Sequence, residues 1–445
     1  MVEDNIILND QYNQKIESDL LAHLKSGKKK GNWFIFILIG IILIGMYAYY
    51  RQLHYGLIVT AMRDYTSWGV YIANFVFFVA ISLVGSLFSS ILKLSKVPWS
   101  TPLTRISEII AIGAIICAIV IIIVDMGRPD RFIYVLIHGR IQSPIIWDVI
   151  IITTYLTISI LLLYLSLIPD LAICRDKLTD VAAWKKWFYR VGAINWQGTP
   201  RQFKILHRIT YTLAVIVIPV AFAIHTVTSW LFSTTWRPGW DSTNLGPYFV
   251  SGALMAGAAV IIVAMFFIRS TYNLKEYLNE KLFSYMGKLL VLLSLIYLYF
   301  NINEYLGPAF KMVGVEGEHI IELFFGSYAP MYWIVQVFGL ILPIVVLVFA
   351  WGRKPLPMLI VSILVLLGAW VKRYLIVIPS LQHPYLPIQD VDDSYLHYIP
   401  TWEEWSITLA SFAWCLLIIT FLIRLLPVIP IWEMKKGNEA KLIKP

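Results

Sequence analysis

Long apolar runs alternate with short polar connections along the 445 residues. A membrane-spanning helix needs about 20 mostly apolar residues. Ten runs qualify, roughly 33–50, 67–92, 106–124, 147–168, 206–232, 247–268, 284–302, 328–351, 356–379 and 403–426. The pattern predicts an all-α integral membrane protein of ten transmembrane helices. Segments 2 and 6 start on the same side, which suggests two parallel four-helix bundles, segments 2–5 and 6–9, plus two flanking helices. No sequence repeat accompanies that symmetry. Run 33–50 is short enough for a signal peptide, but 32 residues precede it and no A-x-A-like cleavage site follows Gly45 to Tyr50, so it reads as a retained helix. The expected organisation is an N-terminal segment 1–32, a membrane domain 33–426 and a C-terminal tail 427–445.

The basic residues test this layout. Of the 36 Lys and Arg, 27 fall before segment 1, after segment 10, or in and beside the connections on that same side. Seven lie opposite: Arg51, Arg63, Arg128, Arg131, Arg140, Arg237 and Lys311. The remaining two, Lys372 and Arg373, fall inside segment 9. The positive-inside bias therefore predicts both termini in the cytoplasm, and the expected location is the cytoplasmic (inner) membrane of a prokaryote. The acidic stretch Asp390, Asp392, Asp393, Glu403 and Glu404 would then face outward, toward a basic partner or simply toward solvent.

Composition agrees with the pattern. The chain is 59% apolar and 14% charged, with a mean hydropathy of +0.72, against roughly 25% charged in soluble domains. Disordered, collagen-like and disulfide-scaffold classes are excluded. Three dispersed cysteines, Cys117, Cys174 and Cys415, cannot hold a cubane cluster, and no CxxC occurs. The net charge of +9 follows from membrane topology, so nucleic acid is not an expected partner. The lipid bilayer is.

Ionisable groups in hydrocarbon cost several kcal/mol, so each is a functional candidate. Segment 3 ends outside at Asp125, and segment 4 begins outside near Asp148. His225, Asn74 and the Lys372-Arg373 pair each lie about seven residues, roughly 10 Å, below the outer end of segments 5, 2 and 9. Five helices thus carry acid, base or amide groups at one depth. Each also has a structural reading: Asp125 and Asp148 as helix-end residues, His225 as a neutral buried imidazole, Lys372 and Arg373 as snorkelling side chains. Glu108, near the inner end of segment 3, fits an interfacial role or the inner entry of a proton path that would also use Lys372. Such a route would draw on Ser107, Thr154, Thr157, Ser159 and water, although the same hydroxyls serve equally to join helices.

Carboxylates, a histidine and an arginine beneath a wet surface suit two-electron, two-proton quinol oxidation, in which bases take protons as electrons leave. The quinone ring needs an apolar slot with hydrogen-bond partners. Haem is disfavoured because His207 and His225 sit near opposite ends of one helix and offer no facing axial pair.

Three stretches carry a family resemblance: Gly69-Val70-Tyr71-Ile72-Ala73-Asn74, then Asp125-Met126-Gly127-Arg128-Pro129-Asp130-Arg131, then Ser143-Pro144-Ile145-Ile146-Trp147-Asp148. With Leu167-Ile168-Pro169-Asp170, Arg237-Pro238-Gly239-Trp240-Asp241 and Gly246-Pro247-Tyr248, they resemble the NrfD/polysulfide reductase membrane-subunit family (PsrC-like). The likeness is greatest to the ten-helix branch with the quinol-binding subunits of alternative complex III and DsrP-type menaquinone complexes. The resemblance implies a menaquinone or other quinone pocket near the outer face, with no intrinsic haem or iron–sulfur cluster. It also implies electron exchange with a peripheral iron–sulfur protein and with cytochrome or molybdopterin subunits beyond it. Asp125 and Asp148 match the family's quinone-site positions. Asp125 stands where alternative complex III members carry His, which favours the broader type. Arg373 matches a ninth-helix arginine of the same pocket, and Asp241 stands where relatives often carry His.

The expected catalytic set is therefore Asp125, Asp148, His225 and Arg373, with Asn74, Tyr71, Trp68, Arg128, His138 and Asp241 around the quinone and no metal ligands. The competing reading, an ion or solute transporter without a redox role, would place its polar groups at mid-membrane rather than near one surface.

Overall fold

The computed structural model describes residues 2–25, 32–95, 101–383, 385 and 397–442. Asp390, Asp392 and Asp393 lie outside the described residues. In chain order the helices are α1 (Val2–Lys25), α2 (Asn32–Tyr55), α3 (Val70–Ser95), α4 (Thr101–Asp125), α5 (Phe132–Ile137) and α6 (Pro144–Lys177). Then come α7 (Ala183–Gly192), α8 (Pro200–Ser233), α9 (Leu245–Thr271), α10 (Glu280–Lys311) and α11 (Gly314–Phe324). The last are α12 (Ala329–Gln336), α13 (Leu342–Val348), α14 (Pro355–Gln382), α15 (Trp402–Leu425) and α16 (Ile431–Leu442). A π turn, Val337–Ile341, joins α12 to α13 into one span. Among the described residues ten helices are long and apolar enough to cross a membrane, each overlapping one predicted run. The chain is an all-helical, multi-pass membrane protein.

Packing divides the spans as expected. α3, α4, α6 and α8 form one four-helix bundle, and α9, α10, α12/α13 and α14 form the other. α2 pairs with α15, which lies against α4. In the most apolar window of α3, 94% of residues are buried, against 17% in α2, so α3 is the central post and α2 a peripheral one. α3 meets α8, α9 and α14 as well as α4.

Small residues permit these close crossings, since helices in lipid associate through packing rather than through the hydrophobic effect. A Cβ at Gly85 of α3 would come within 3.0 Å of the Ser107 carbonyl and Ala111 of α4. One at Gly257 of α9 would come equally close to Val84 of α3. Gly85→Val is therefore expected to destabilise the fold by about 1–3 kcal/mol or more through overpacking, measured as a lower thermal midpoint in detergent.

The N-terminal segment differs from the polar tail expected of it. Ile16, Leu20, Leu21 and Leu24 recur at helical spacing and are buried. Glu17 pairs with Lys177 and Lys435. Lys15 pairs with Glu276 at 2.9 Å, and Tyr277 donates to Asp19 at 3.2 Å. α1 thus straps the α6 end of one bundle to the α9–α10 turn of the other.

Candidate functional site

Asp148 lies in the second turn of α6, buried, and accepts a hydrogen bond from Thr228 Oγ1 of α8 at 2.7 Å. One turn before Thr228 on the same helix is His225, 2% exposed, with neither ring nitrogen bonded to any protein atom. Buried polar groups nearly always have partners. An imidazole with two open nitrogens, one turn from a residue that binds a buried carboxylate, has room in its chemistry for an oxygen-bearing ligand or water. Arg373 of α14 is buried and donates to its own helix at Ala369 O, 3.2 Å. Its guanidinium lies against Gly252 of α9, where a Cβ would come 3.1 Å from Nη2, so the glycine gives it its place.

An aromatic roof lies beyond this group, toward the α8–α9 connection. Phe232, two turns beyond His225, packs edge-on to Trp240 at 4.9 Å and to Trp68 at 5.5 Å. Trp68 stacks on Trp240 at 5.7 Å. Trp240 Nε1 donates to Ile376 O of α14 at 2.8 Å, which ties the roof to the helix carrying Arg373.

The other expected residues divide among different places. Asp125 ends α4 with a buried, unpartnered Oδ1. Beside it Tyr71 donates to Gln52 Oε1 at 2.9 Å, and Gln52 Nε2 donates to Val124 O at 2.8 Å. Among the described residues no hydrogen bond or ion pair joins Asp125 to Asp148. Asn74 is fully buried, with Nδ2 donating to Thr408 at 2.9 Å and Oδ1 accepting from Trp370 at 2.7 Å. Its amide joins α3, α14 and α15. Arg128 is exposed and paired with Asp130 at 3.0 Å, which raises the guanidinium's pKa and lowers the carboxyl's. His138 and Asp241 are exposed at the surface.

Lys372 does not snorkel. It is 1% exposed, donates to Tyr305 OH at 2.6 Å and lies over the rings of Tyr305 and Tyr332 at 4.5 and 4.9 Å. Nearby, Tyr297 donates to Tyr248 at 3.1 Å, Tyr248 to Asn301 at 3.1 Å and Asn301 to Gln336 at 2.7 Å. Glu304 accepts from Asn244 at 2.8 Å and from Ser242 at 3.1 Å. A cavity of about 30 Å3 bordered by Glu304, Tyr305 and His319 opens toward the loops, and one of about 10 Å3 adjoins Lys372. Each has room for about one or two waters. Burial pushes His319, in α11, down to about 3, so its ring is neutral. Of this second polar cluster, in the second bundle, the sequence points only to Lys372. The apolar run of segment 7 stops at 302, whereas α10 continues to Lys311 and holds Glu304.

Glu108 lies at the opposite membrane surface. Lys93 at 2.5 Å and Ser89 at 2.7 Å bind its Oε1, and Ser166 at 3.1 Å binds its Oε2. Beside it Arg105 and Asp170, both wholly buried, pair at 3.0 Å. Thr154 and Thr157 face outward, each donating to the carbonyl four residues back. Ser107 likewise bonds Leu103 O. Ser159 alone of the expected relay reaches across, to Ser86 at 2.7 Å. Glu403 and Glu404 are not an open acidic surface. Glu404 is fully buried, accepting from Tyr398 at 2.6 Å and Ala61 N at 2.9 Å. Glu403 meets Arg51 at 3.4 Å. The capping box Thr401-Trp402-Glu403-Glu404 is the sequence signal for this arrangement.

The family profile described as polysulphide reductase, NrfD, matches residues 58–384. A protein of Halobacterium salinarum, provisionally named as the membrane C subunit of a dimethyl sulfoxide reductase, is 32% identical over 234 residues. That match covers 52% of this chain and only 51% of the relative. The C subunit of selenate reductase from Mesobacillus selenatarsenatis is 23% identical across 87% of this chain and 92% of its own length. The menaquinone reductase integral membrane subunit of Nitratidesulfovibrio vulgaris is 23% identical across 89% and 91%. With the profile spanning every helix from α3 to α14, the chain belongs to the NrfD polysulphide reductase family.

Proposed function

We propose that this chain is the quinol-interacting membrane subunit of a multi-subunit oxidoreductase, with its quinone site beneath the aromatic roof at Asp148, His225 and Arg373. The observation that carries the reading is the buried His225 with both ring nitrogens open, one turn from the Thr228 that binds Asp148. The relatives named as subunits of menaquinone and selenate reductases support it. The charge asymmetry supports a cytoplasmic location of both termini and so an outer-face site.

A bound menaquinone-type quinol supplies two electrons and two protons. Asp148 is the base for one proton, and Thr228 holds its carboxylate in position. His225 accepts a hydrogen bond from the second quinol hydroxyl at an open ring nitrogen and takes its proton as the electrons leave. Arg373 supplies positive charge within a water-excluded site, where electrostatics act strongly. Trp68, Phe232 and Trp240 separate the group from the outer solvent. Electrons pass to a peripheral iron–sulfur subunit on the outer face and then to cytochrome or molybdopterin subunits. The Glu108 cluster serves as an inner anchor in this account, since both its carboxylate oxygens are bound and the Thr154 and Thr157 hydroxyls point away.

His225→Leu tests the site. It is expected to weaken binding of a fluorescent quinol analogue to the purified complex by at least tenfold, the loss of one or two hydrogen bonds in a buried setting, with assembly intact. Unchanged binding would remove His225 from the site. The purified chain is also expected to show no Soret or cluster absorbance, because its three cysteines are dispersed and His207 and His225 offer no facing axial pair. A stoichiometric Soret band would contradict that.

A further inference from the structure

The connection from α6 to α8 holds a helix that quinol chemistry leaves without a task. α7 has three faces. Its packed face seats Tyr189, which donates to Leu425 O, and Lys185, which donates to Arg424 O, both at 2.9 Å. α7 therefore lies across the end of α15 at the membrane surface that carries α1 and α16. A second face presents Trp184, Trp187 and Val191, spaced three and four residues apart and 51%, 66% and 55% exposed. Ile194 continues that stripe at 62% exposed. A third face presents Lys186 and Arg190, four residues apart and exposed. The first turns of α8 extend the pattern with exposed Arg201, Lys204 and Arg208 beside exposed Ile205 and Ile209. Among the described residues no carboxylate pairs with any of these five basic side chains.

Water does not favour two tryptophans half or more exposed at helical spacing, Trp184 stacked on Phe421 of α15 and Trp187 more open, and hydrocarbon does not accept Lys186 and Arg190. The headgroup layer accepts both, because indole rings prefer the interface and basic side chains reach outward to phosphate. Charge then selects the lipid, since unpaired basic groups beside an amphipathic apolar stripe favour anionic over zwitterionic headgroups. We propose that α7 and the first turns of α8 form a binding band for anionic phospholipid headgroups. Lys186 and Arg190 contact phosphate, and Trp184 and Trp187 rest at the acyl boundary. The band anchors the α6–α8 connection, and through Tyr189 and Lys185 the end of α15, to that leaflet.

The test uses the full chain in phosphatidylcholine vesicles in which an equal fraction of lipid is replaced by brominated phosphatidylglycerol or by brominated phosphatidylcholine. The contribution of Trp184 and Trp187 is read as the difference between wild type and Trp184→Phe/Trp187→Phe. Quenching is expected to be stronger with phosphatidylglycerol, and the preference is expected to vanish in Lys186→Gln/Arg190→Gln and to shrink in high salt. Equal quenching by the two lipids would overturn the proposal, as would a preference that survives the double variant. A preference present in the isolated chain but absent from the assembled complex would overturn it too, because a partner protein would then occupy α7.

Discussion

Asp148→Asn is expected to lower quinol turnover by about 10²–10⁴-fold, the usual contribution of one general base, while the complex still assembles. Asn keeps the size of the side chain and still accepts the Thr228 hydroxyl at the bond now measured at 2.7 Å, so the α6–α8 contact survives. What disappears is the proton acceptor. The expected signature is a fall in turnover with quinol-analogue binding largely retained, measured by steady-state oxidation and by equilibrium titration on the same preparation. Turnover at the wild-type rate would exclude Asp148 from proton transfer, and failure to assemble would make its role structural.

A second large effect is expected far from the proposed quinone site. Arg105 donates to Asp170 at 3.0 Å and to the Ser166 and Pro427 carbonyls at 2.9 and 3.3 Å, and Trp432 N donates to Asp170 at 3.0 Å. The pair thus fixes α4, α6 and the chain leading into α16. Arg105→Leu leaves Asp170 buried without its counter-charge, a change that typically destabilises by about 3–5 kcal/mol. Arg105→Leu/Asp170→Leu removes both charges and is expected to recover most of that loss. Thermal unfolding in detergent reads both variants. A single variant as stable as wild type would mean that water reaches Asp170.

The fold is legible in the sequence because lipid imposes a length on every span, and all ten runs coincide with helices. Their ends are less legible. Arg105, Asp170 and Glu304 fall outside the predicted runs at 106, 168 and 302 because charge ordinarily marks water. Here the helices continue past the apolar runs and bury those charges against protein. The amphipathic α1 escapes for a similar reason, since its apolar positions are interspersed with polar ones that keep the average hydropathy of the segment low. Within the site, counting residues along each helix gives depth but not the direction in which a side chain points. Depth alone brings together Asp148, His225, Arg373, Asn74 and Lys372. Direction then separates them, sending Asn74 into a bond network between helices and Lys372 into the second bundle, next to Arg373 in sequence but about 100° away around α14. Arg128 and Asp241 come from local sequence likeness, which carries no information about exposure, and they are exposed, as is His138.

The central claim is that the quinone site lies in the first bundle, between α6 and α8 and beneath the Trp68, Phe232 and Trp240 roof. Photolabelling of the intact complex with an azido-quinone, followed by mass-spectrometric mapping, tests it most directly. The account predicts label on peptides containing Asp148 and His225, displaced by excess unlabelled quinone. Competable label confined to the Glu304, Tyr305 and His319 region of the second bundle would contradict it.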